Sequence, residues 1–200
     1  MPVILPAGCS LIALDQVDST NDEAKRRAAH GAADGTVVWA RSQSAGRGRR
    51  GRRWISPTGN LYASIILRQD KSPAQTAQLS LAAAEALAEA LEALLPDGVL
   101  VQCKWPNDVL VEGRKIAGIL LESSGAAAID WVVVGCGVNI ASHPQLAGYP
   151  TTCLAEAGAG GVTVAGVLEA FVGRLMAWRA RWMVAGIEPL RAAWIARAAK

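Results

Sequence analysis

How the apolar runs are joined constrains this chain more than any other feature. Residues 108–112 and 115–122 read as strands that turn around Gly113-Arg114. That turn is too short for a crossover helix, so the two strands must pair antiparallel. Residues 36–41 and 60–67 read as two more strands, flanking a Gly-rich loop closed by Pro57 and Gly59, and 129–138 is a further apolar strand. Strands at 11–17 and 99–104 complete the set. Hairpins therefore outnumber helix-separated strands, which predicts an α+β fold: a mixed β-sheet backed by helices on one side.

The helices are placed by period and punctuation. Residues 73–95 return Leu79, Ala83, Leu87, Leu91 and Leu94 to one face, and Pro96-Asp97-Gly98 ends the run. Thr20 and Glu23 have the spacing of a capping box, predicting a helix from Thr20 to about residue 33. Residues 163–185 are amphipathic, 141–152 form a Pro/Gly loop, and another helix starts at Pro189 and runs on to the end. Two hundred residues without a repeat or a long linker suit one domain, expected over 1–186, with 187–200 the start of a C-terminal segment.

Composition narrows the class. At 52% hydrophobic and 18% charged residues, the chain can bury a core and is not a disordered tail. It has no run of 18 apolar residues, so no membrane-crossing helix is expected. Cys9, Cys103, Cys136 and Cys153 are scattered without a C-x-x-C pair. They predict reduced, mostly buried thiols of a cytoplasmic protein, with neither a zinc site nor a disulfide framework.

Charge is concentrated in one place. Arg47, Arg49, Arg50, Arg52 and Arg53 lie within seven residues, and the net charge of +3 becomes −2 once these five are set aside. A nucleic-acid-coating protein would spread its charge over a face, whereas one cationic Gly-rich loop suggests a local anionic target. Gly46-x-Gly48-x-x-Gly51 has the form of a dinucleotide fingerprint, but Trp54-Ile-Ser-Pro57-Thr-Gly59 follows where that motif needs a helix. Phosphate binding, an RNA-binding Arg/Gly tract and a solvated loop all remain open on this segment alone.

Three further segments carry chemistry. Pro106 stops a strand, and Asn107-Asp108 forms a turn offering an amide and a carboxylate, suited to a partly hydrated Mg²⁺ shared with nucleotide phosphates or simply to an ordinary turn. Lys115, near the start of an apolar strand, could place its charge on a developing anion or blunt a sheet edge. Gly135-Cys136-Gly137-Val138-Asn139 ends a strand where paired glycines permit close backbone approach.

Asp18-Ser19-Thr20-Asn21, the loop Gln43-Ser-Ala-Gly46-Arg47-Gly48-Arg49-Arg50-Gly51-Arg52, Lys104-Trp105-Pro106-Asn107-Asp108, Arg114-Lys115-Ile-Ala-Gly118 and Gly135-Cys-Gly137-Val-Asn139 occur in that order. Together these segments resemble the biotin–protein ligase family, over roughly residues 15–140. The resemblance implies a catalytic domain of the class II aminoacyl-tRNA synthetase-like, biotin/lipoate ligase type. It also implies an enzyme that adenylates biotin with ATP and Mg²⁺ and transfers it to a lysine of a biotin carboxyl carrier domain, forming a C–N bond and releasing AMP and pyrophosphate.

Roles follow residue by residue from that resemblance. Ser19, Thr20, Asn21 and Gln43 would face the biotin ring, with Gly48 and Gly118 beside it. Lys115, Arg47 and Arg49 would be the catalytic cations, also touching biotin. Arg49, Arg50, Arg52, Trp54, Lys104, Asn107, Asn139 and Tyr149 would hold ATP, and Asn107 and Asp108 the metal. The pattern begins almost at Met1, so no winged helix-turn-helix and no DNA partner are expected, and the small SH3-like barrel common after this domain is expected to be missing. No membrane partner is expected, and an edge strand could pair two subunits. Lipoate–protein ligases share the fold and chemistry and are the nearest rival, followed by an RNA-binding module and by a weakened relative that only sequesters biotin.

Overall fold

The computed structural model describes residues 2–125, 129–145 and 149–199. β1 (Ser10–Val17) pairs in parallel with β2 (Thr36–Gln43), and α1 (Thr20–Ala29) is the crossover between them. The other neighbours are antiparallel: β2 with β3 (Leu61–Lys71), β3 with β7 (Ile129–Val138), β7 with β6 (Arg114–Ser124), β6 with β5 (Asp108–Val111), and β5 with β4 (Val101–Lys104). The sheet order is thus β1-β2-β3-β7-β6-β5-β4. A mixed sheet with helices is what the hairpin pattern required.

Strand alternation divides the apolar residues between two cores. Ala63, Ile65 and Leu67 of β3 share one face with Val132, Val134, Cys136 and Val138 of β7, under α3 (Leu79–Glu92), α4 (Val164–Ala185) and α5 (Glu188–Ala196). Each fully buried Leu or Phe there contributes about 1.5–3 kcal/mol. Val38, Ile66, Trp131 and Val133 face the other way and meet Ala24 and Ala28 of α1. The expectation of helices on one side is corrected here. A parallel pair needs a crossover, and the β1–β2 crossover lies on the face that α3–α5 leave bare.

Several boundaries move for local reasons. Ser19, not Thr20, is the N-cap of α1, accepting from the Asp22 N–H at 3.4 Å, because the Thr20 hydroxyl is turned toward Gln43. α1 stops at Ala29, just before Gly31 in the left-handed region (φ 86°). The predicted 73–95 helix is two, α2 (Pro73–Ala77) and α3. Ser72 and Gln75 form a reciprocal capping box, and Trp182 Nε1 donates to Gln78 Oε1 at 2.8 Å at the junction. Leu79, Ala83, Leu87 and Leu91 are buried as the period demanded, and Leu94 partly so.

The β5–β6 turn is Glu112-Gly113, both with positive φ, as a tight hairpin of this hand requires. After α5, Ala198 bridges in parallel to Cys103 of β4, and Arg197 pairs with buried Glu85 at 2.9 Å. Burial raises the Glu85 pKa, and Arg197 only partly offsets it. The expected 141–152 loop includes residues 146–148, and the expected last helix runs to Lys200; those four residues lie outside the described ones. Among the described residues no helix is long and apolar enough to cross a membrane.

Candidate active site

α1 covers only part of its face of the sheet, and the bare remainder becomes a cleft. On β6 and β7, Gly118 stands opposite Gly137 and Leu120 opposite Gly135, so the glycines remove side chains from the sheet surface there. A Cβ on Gly137 would come within 2.6 Å of the Trp54 ring, and one on Gly118 within 3.1 Å. Trp54 therefore packs against a floor that the Gly118–Gly137 pair leaves open. A Cβ on Gly135 would fall 1.9 Å from Asn21 Oδ1, which is how the start of α1 sits so close to β7. The resulting cavity measures about 370 Å³.

The Arg/Gly loop forms its roof. Arg47 bridges to Arg53, Gly48 N–H donates to Arg52 O at 2.7 Å, and Trp54 N–H to Gly46 O at 2.9 Å, so the loop is itself a small hairpin. Arg47 ties the roof to the wall. Its guanidinium meets Asp22 at 2.6 Å and Glu122 at 3.2 Å, and Lys25 reaches the same two carboxylates at 2.8 Å each. Burial raises the pKa of both acids, but hydrogen bonds and charge from Lys25 and Arg47, and from Asn21 on Glu122, outweigh it and leave both below their ordinary values.

Beneath the roof the wall near α1 is neutral. Gln43 Oε1 accepts from Thr20 N–H at 2.8 Å and from the Thr20 hydroxyl at 3.1 Å, while Gln43 Nε2 donates to Ser56 Oγ at 2.9 Å. The Ser64 hydroxyl donates to Asn21 Oδ1 at 2.6 Å and lies 2.9 Å from Thr20 Oγ1. Asn21 Nδ2 in turn donates to Glu122 at 2.9 Å. Each amide is thus oriented by its neighbours before any ligand arrives.

The opposite wall is charged. Lys115 Nζ meets Asp108 Oδ1 at 2.7 Å, and the Tyr149 hydroxyl donates to Asp108 Oδ2 at 2.6 Å. The ammonium lies 5.3 Å from the Trp54 ring centre and 5.6 Å from that of Tyr149. Burial, then Asp108, raises the Tyr149 pKa, so its phenol stays a donor at neutral pH. Asn107 Nδ2 donates to Ile119 O at 2.9 Å, and buried Asn139 ties Nδ2 to Thr152 O at 3.0 Å. The Trp54 indole N–H is buried without a partner among the described residues. Cys136, between the two floor glycines, points its side chain to the other face of the sheet, where burial pushes its thiol up to about 12, so it stays a thiol at neutral pH.

Of the residues singled out from sequence, Ser19, Thr20, Asn21, Gln43, Arg47, Gly48, Arg49, Arg52, Trp54, Asn107, Asp108, Lys115, Gly118, Asn139 and Tyr149 all line this one cavity. Arg50 and Lys104 do not. Arg50 occupies the loop tip with φ 57°, and Lys104 points its ammonium at the Tyr149 ring, 4.8 Å from the centre. The sequence reading missed Ser56, Ser64 and the Asp22–Glu122 pair that receives Arg47. Ser64 left a signal, a lone hydroxyl in the apolar run Leu61-Tyr-Ala-Ser64-Ile-Ile-Leu67. Glu122 left none, since its partner lies 75 residues away.

Residues 13–139 match the biotin/lipoate A/B protein ligase family, and the chain belongs to it. It is 40% identical over 193 residues to the biotin–[acetyl-CoA-carboxylase] ligase of Paracoccus denitrificans, covering 94% of this chain and 80% of that relative. Against a bifunctional ligase/repressor of Bacillus spizizenii it is 35% identical over 198 residues, and it spans 59% of that protein's length. The biotin protein ligase of Leishmania major in complex with biotinyl-5-AMP superposes with a TM-score of 0.81 at 28% identity, covering 95% of this chain and 81% of the other.

Proposed function

We propose that this chain activates biotin with ATP to biotinyl-5′-AMP and passes the biotinyl group to a lysine of a biotin carboxyl carrier domain. One observation carries the reading: Arg47 and Lys115 converge on a single cleft whose one wall is neutral and pre-paired and whose other is cationic. The relatives named above are biotin ligases, and one related structure holds the adenylate itself.

The neutral wall suits the uncharged ureido ring, with Ser19, Thr20 and Gln43 exchanging internal hydrogen bonds for ones to its N–H and C=O groups. The biotin carboxylate oxygen attacks the α-phosphorus; the new O–P bond forms as the bond to pyrophosphate breaks. Two anions must approach, so catalysis is mostly positioning and charge neutralisation. Lys115 supplies a positive charge at the carboxylate and α-phosphate, and Arg49 and Arg52 meet the phosphates from the roof. Trp54 covers the intermediate, and its unpaired indole N–H is available as a donor. The acceptor lysine's neutral amine then attacks the acyl carbon, the C–N bond forms, AMP leaves and the amine proton passes to solvent. A closed roof excludes water from an anhydride that would otherwise hydrolyse.

Asp108 and the Asn107 amide oxygen are one carboxylate and one carbonyl, too few to cage Mg²⁺ but consistent with an ion arriving on the nucleotide. Both Asp108 oxygens are engaged by Lys115 and Tyr149, so Lys115 must turn to the substrate for Oδ1 to become a ligand. Bound there, Mg²⁺ would neutralise phosphate charge. Cys136 takes no part, and the reading carries with it a reducing, cytoplasmic setting for its thiols.

ATP–pyrophosphate exchange measured with biotin and with lipoate tests the proposal. Biotin-dependent exchange is expected. Exchange with lipoate alone, or with neither acid, would overturn it.

A further inference from the structure

Outside the cleft, the segment after β7 gathers three side chains of metal-ligating type. His143, Cys153 and Glu156 bring ligand atoms within 4.8 Å of one another. Cys153 and Glu156 are three apart in a tight turn closed by Ala157 N–H to Cys153 O at 3.0 Å, and the His143 ring folds back over them. None of the three lines the cleft. We propose that they form a binding site for a thiophilic divalent cation of the zinc class.

Proton accounting at His143 points to a cation. The Thr151 hydroxyl donates its one proton to Pro144 O at 2.5 Å, so toward His143 Nδ1, 2.7 Å away, it can only accept. Nδ1 therefore carries hydrogen. The neutral ring then presents Nε2 as a lone pair, facing Glu156 Oε1 at 2.9 Å. Two facing acceptors need a positive charge to hold them together, either a second ring proton at the present 2.9 Å or a metal ion that both bind at a slightly wider spacing. The third donor, the Cys153 sulfur, is soft, which favours zinc over magnesium or calcium. A ring held by hydrogen bonding through its other nitrogen is the usual arrangement of a metal-bound histidine.

Ligand atoms around tetrahedral zinc lie roughly 3.5 Å apart. Closing on zinc would draw in the wider separations, up to 4.8 Å, by about an ångström and part Nε2 and Oε1, now 2.9 Å apart, by about half an ångström; half-exposed Glu156 can supply both, and the fourth position would stay open to water. The absence of a C-x-x-C pair predicted no zinc site, because here the remaining ligands are a carboxylate and a histidine ten residues upstream. Thr151 and Pro144 both line the cleft, and Thr152 N–H donates to Lys115 O at 2.9 Å. An occupied site would therefore brace the segment that presents Tyr149 to Lys115.

The test is titration of the chelator-stripped full chain with Co²⁺, a spectroscopic substitute for zinc. The expected result is one equivalent bound, with a thiolate-to-cobalt charge-transfer band and tetrahedral d–d bands that zinc bleaches. Cys153→Ser should abolish the charge-transfer band, His143→Gln should weaken binding at least ~10-fold, and Cys9→Ser should change neither. No thiolate band in the unmodified chain, or one surviving Cys153→Ser, would overturn the proposal. Biotin-dependent pyrophosphate exchange by Cys153→Ser reports separately on the ligase reading, which does not depend on this metal.

Discussion

Beneath the Arg47 roof contact, the polar groups that line the α1 end of the cleft are neutral and already paired, whereas at the β5 end cations outnumber the carboxylates they face. Ser56, Gln43, Thr20 and Ser64 form a chain of hydroxyls and amides. Across the cavity, Lys115 pairs with Asp108, but among the described residues Arg49, Arg52 and Arg53 make no ion pair. The difference teaches what each end is kept for. A pre-oriented neutral network can exchange partners with an uncharged ring at little cost, and uncommitted guanidinium groups hold charge in reserve for an anion that arrives later.

The largest effect should come from the charged end. Lys115→Ala should slow biotinyl-5′-AMP formation by ~10²–10³-fold with little change in thermal midpoint, since Tyr149 still satisfies Asp108; single-turnover quenching measures it. Next is the floor. Gly135→Ala drives a Cβ to 1.9 Å from Asn21 Oδ1 and must displace the start of α1. A loss of about 1–3 kcal/mol in stability is expected from such overpacking, together with weaker biotin binding, read by denaturant titration and calorimetry. Gln43→Met should then separate the two ends: about 10-fold weaker biotin binding from the Thr20 N–H and hydroxyl left without their acceptor, with the KM for ATP unchanged. A parallel rise in both constants would break the comparison.

The smallest effect concerns the roof. Asp22 and Glu122 have depressed pKa values, so their contribution to holding Arg47 is present above the ordinary carboxylate range and is lost as pH falls through their lowered values. The groups are part-exposed, so the change should stay below about 1 kcal/mol. Amide-exchange protection at Gly48 and Trp54 should fall on acidification, and Arg47→Ala should show the same loss at neutral pH.

Local residue patterns pointed to the charged end, whereas Ser19, Thr20, Asn21 and Gln43 of the neutral end were reached only through the family resemblance. Arginines clustered between glycines, and Lys104-Trp-Pro-Asn-Asp108 at a strand end, are local patterns, and of the 17 residues that the resemblance built on them implied, 15 line the cleft. Arg50 and Lys104 lie outside its lining, since a five-arginine loop can aim only some of its side chains inward and Lys104 sets its ammonium over the Tyr149 ring. The neutral relay depends on Ser64 and Ser56 meeting Asn21 and Gln43 across three elements, which no spacing encodes. The same holds for the fold. Hairpins were legible from their turns, but the placement of α1 on the second face required knowing that β1 and β2 are parallel neighbours.

The division of the cleft is tested most directly by a crystal structure of the chain grown with biotinyl-5′-AMP. The expected density places the ureido ring within hydrogen-bond distance of Thr20 and Gln43, Trp54 over the intermediate, and Lys115 Nζ at the phosphate oxygens in place of Asp108. A ligand bound in the reverse sense, with its phosphate at Gln43, or lying outside the space between Arg47 and Lys115, would contradict it.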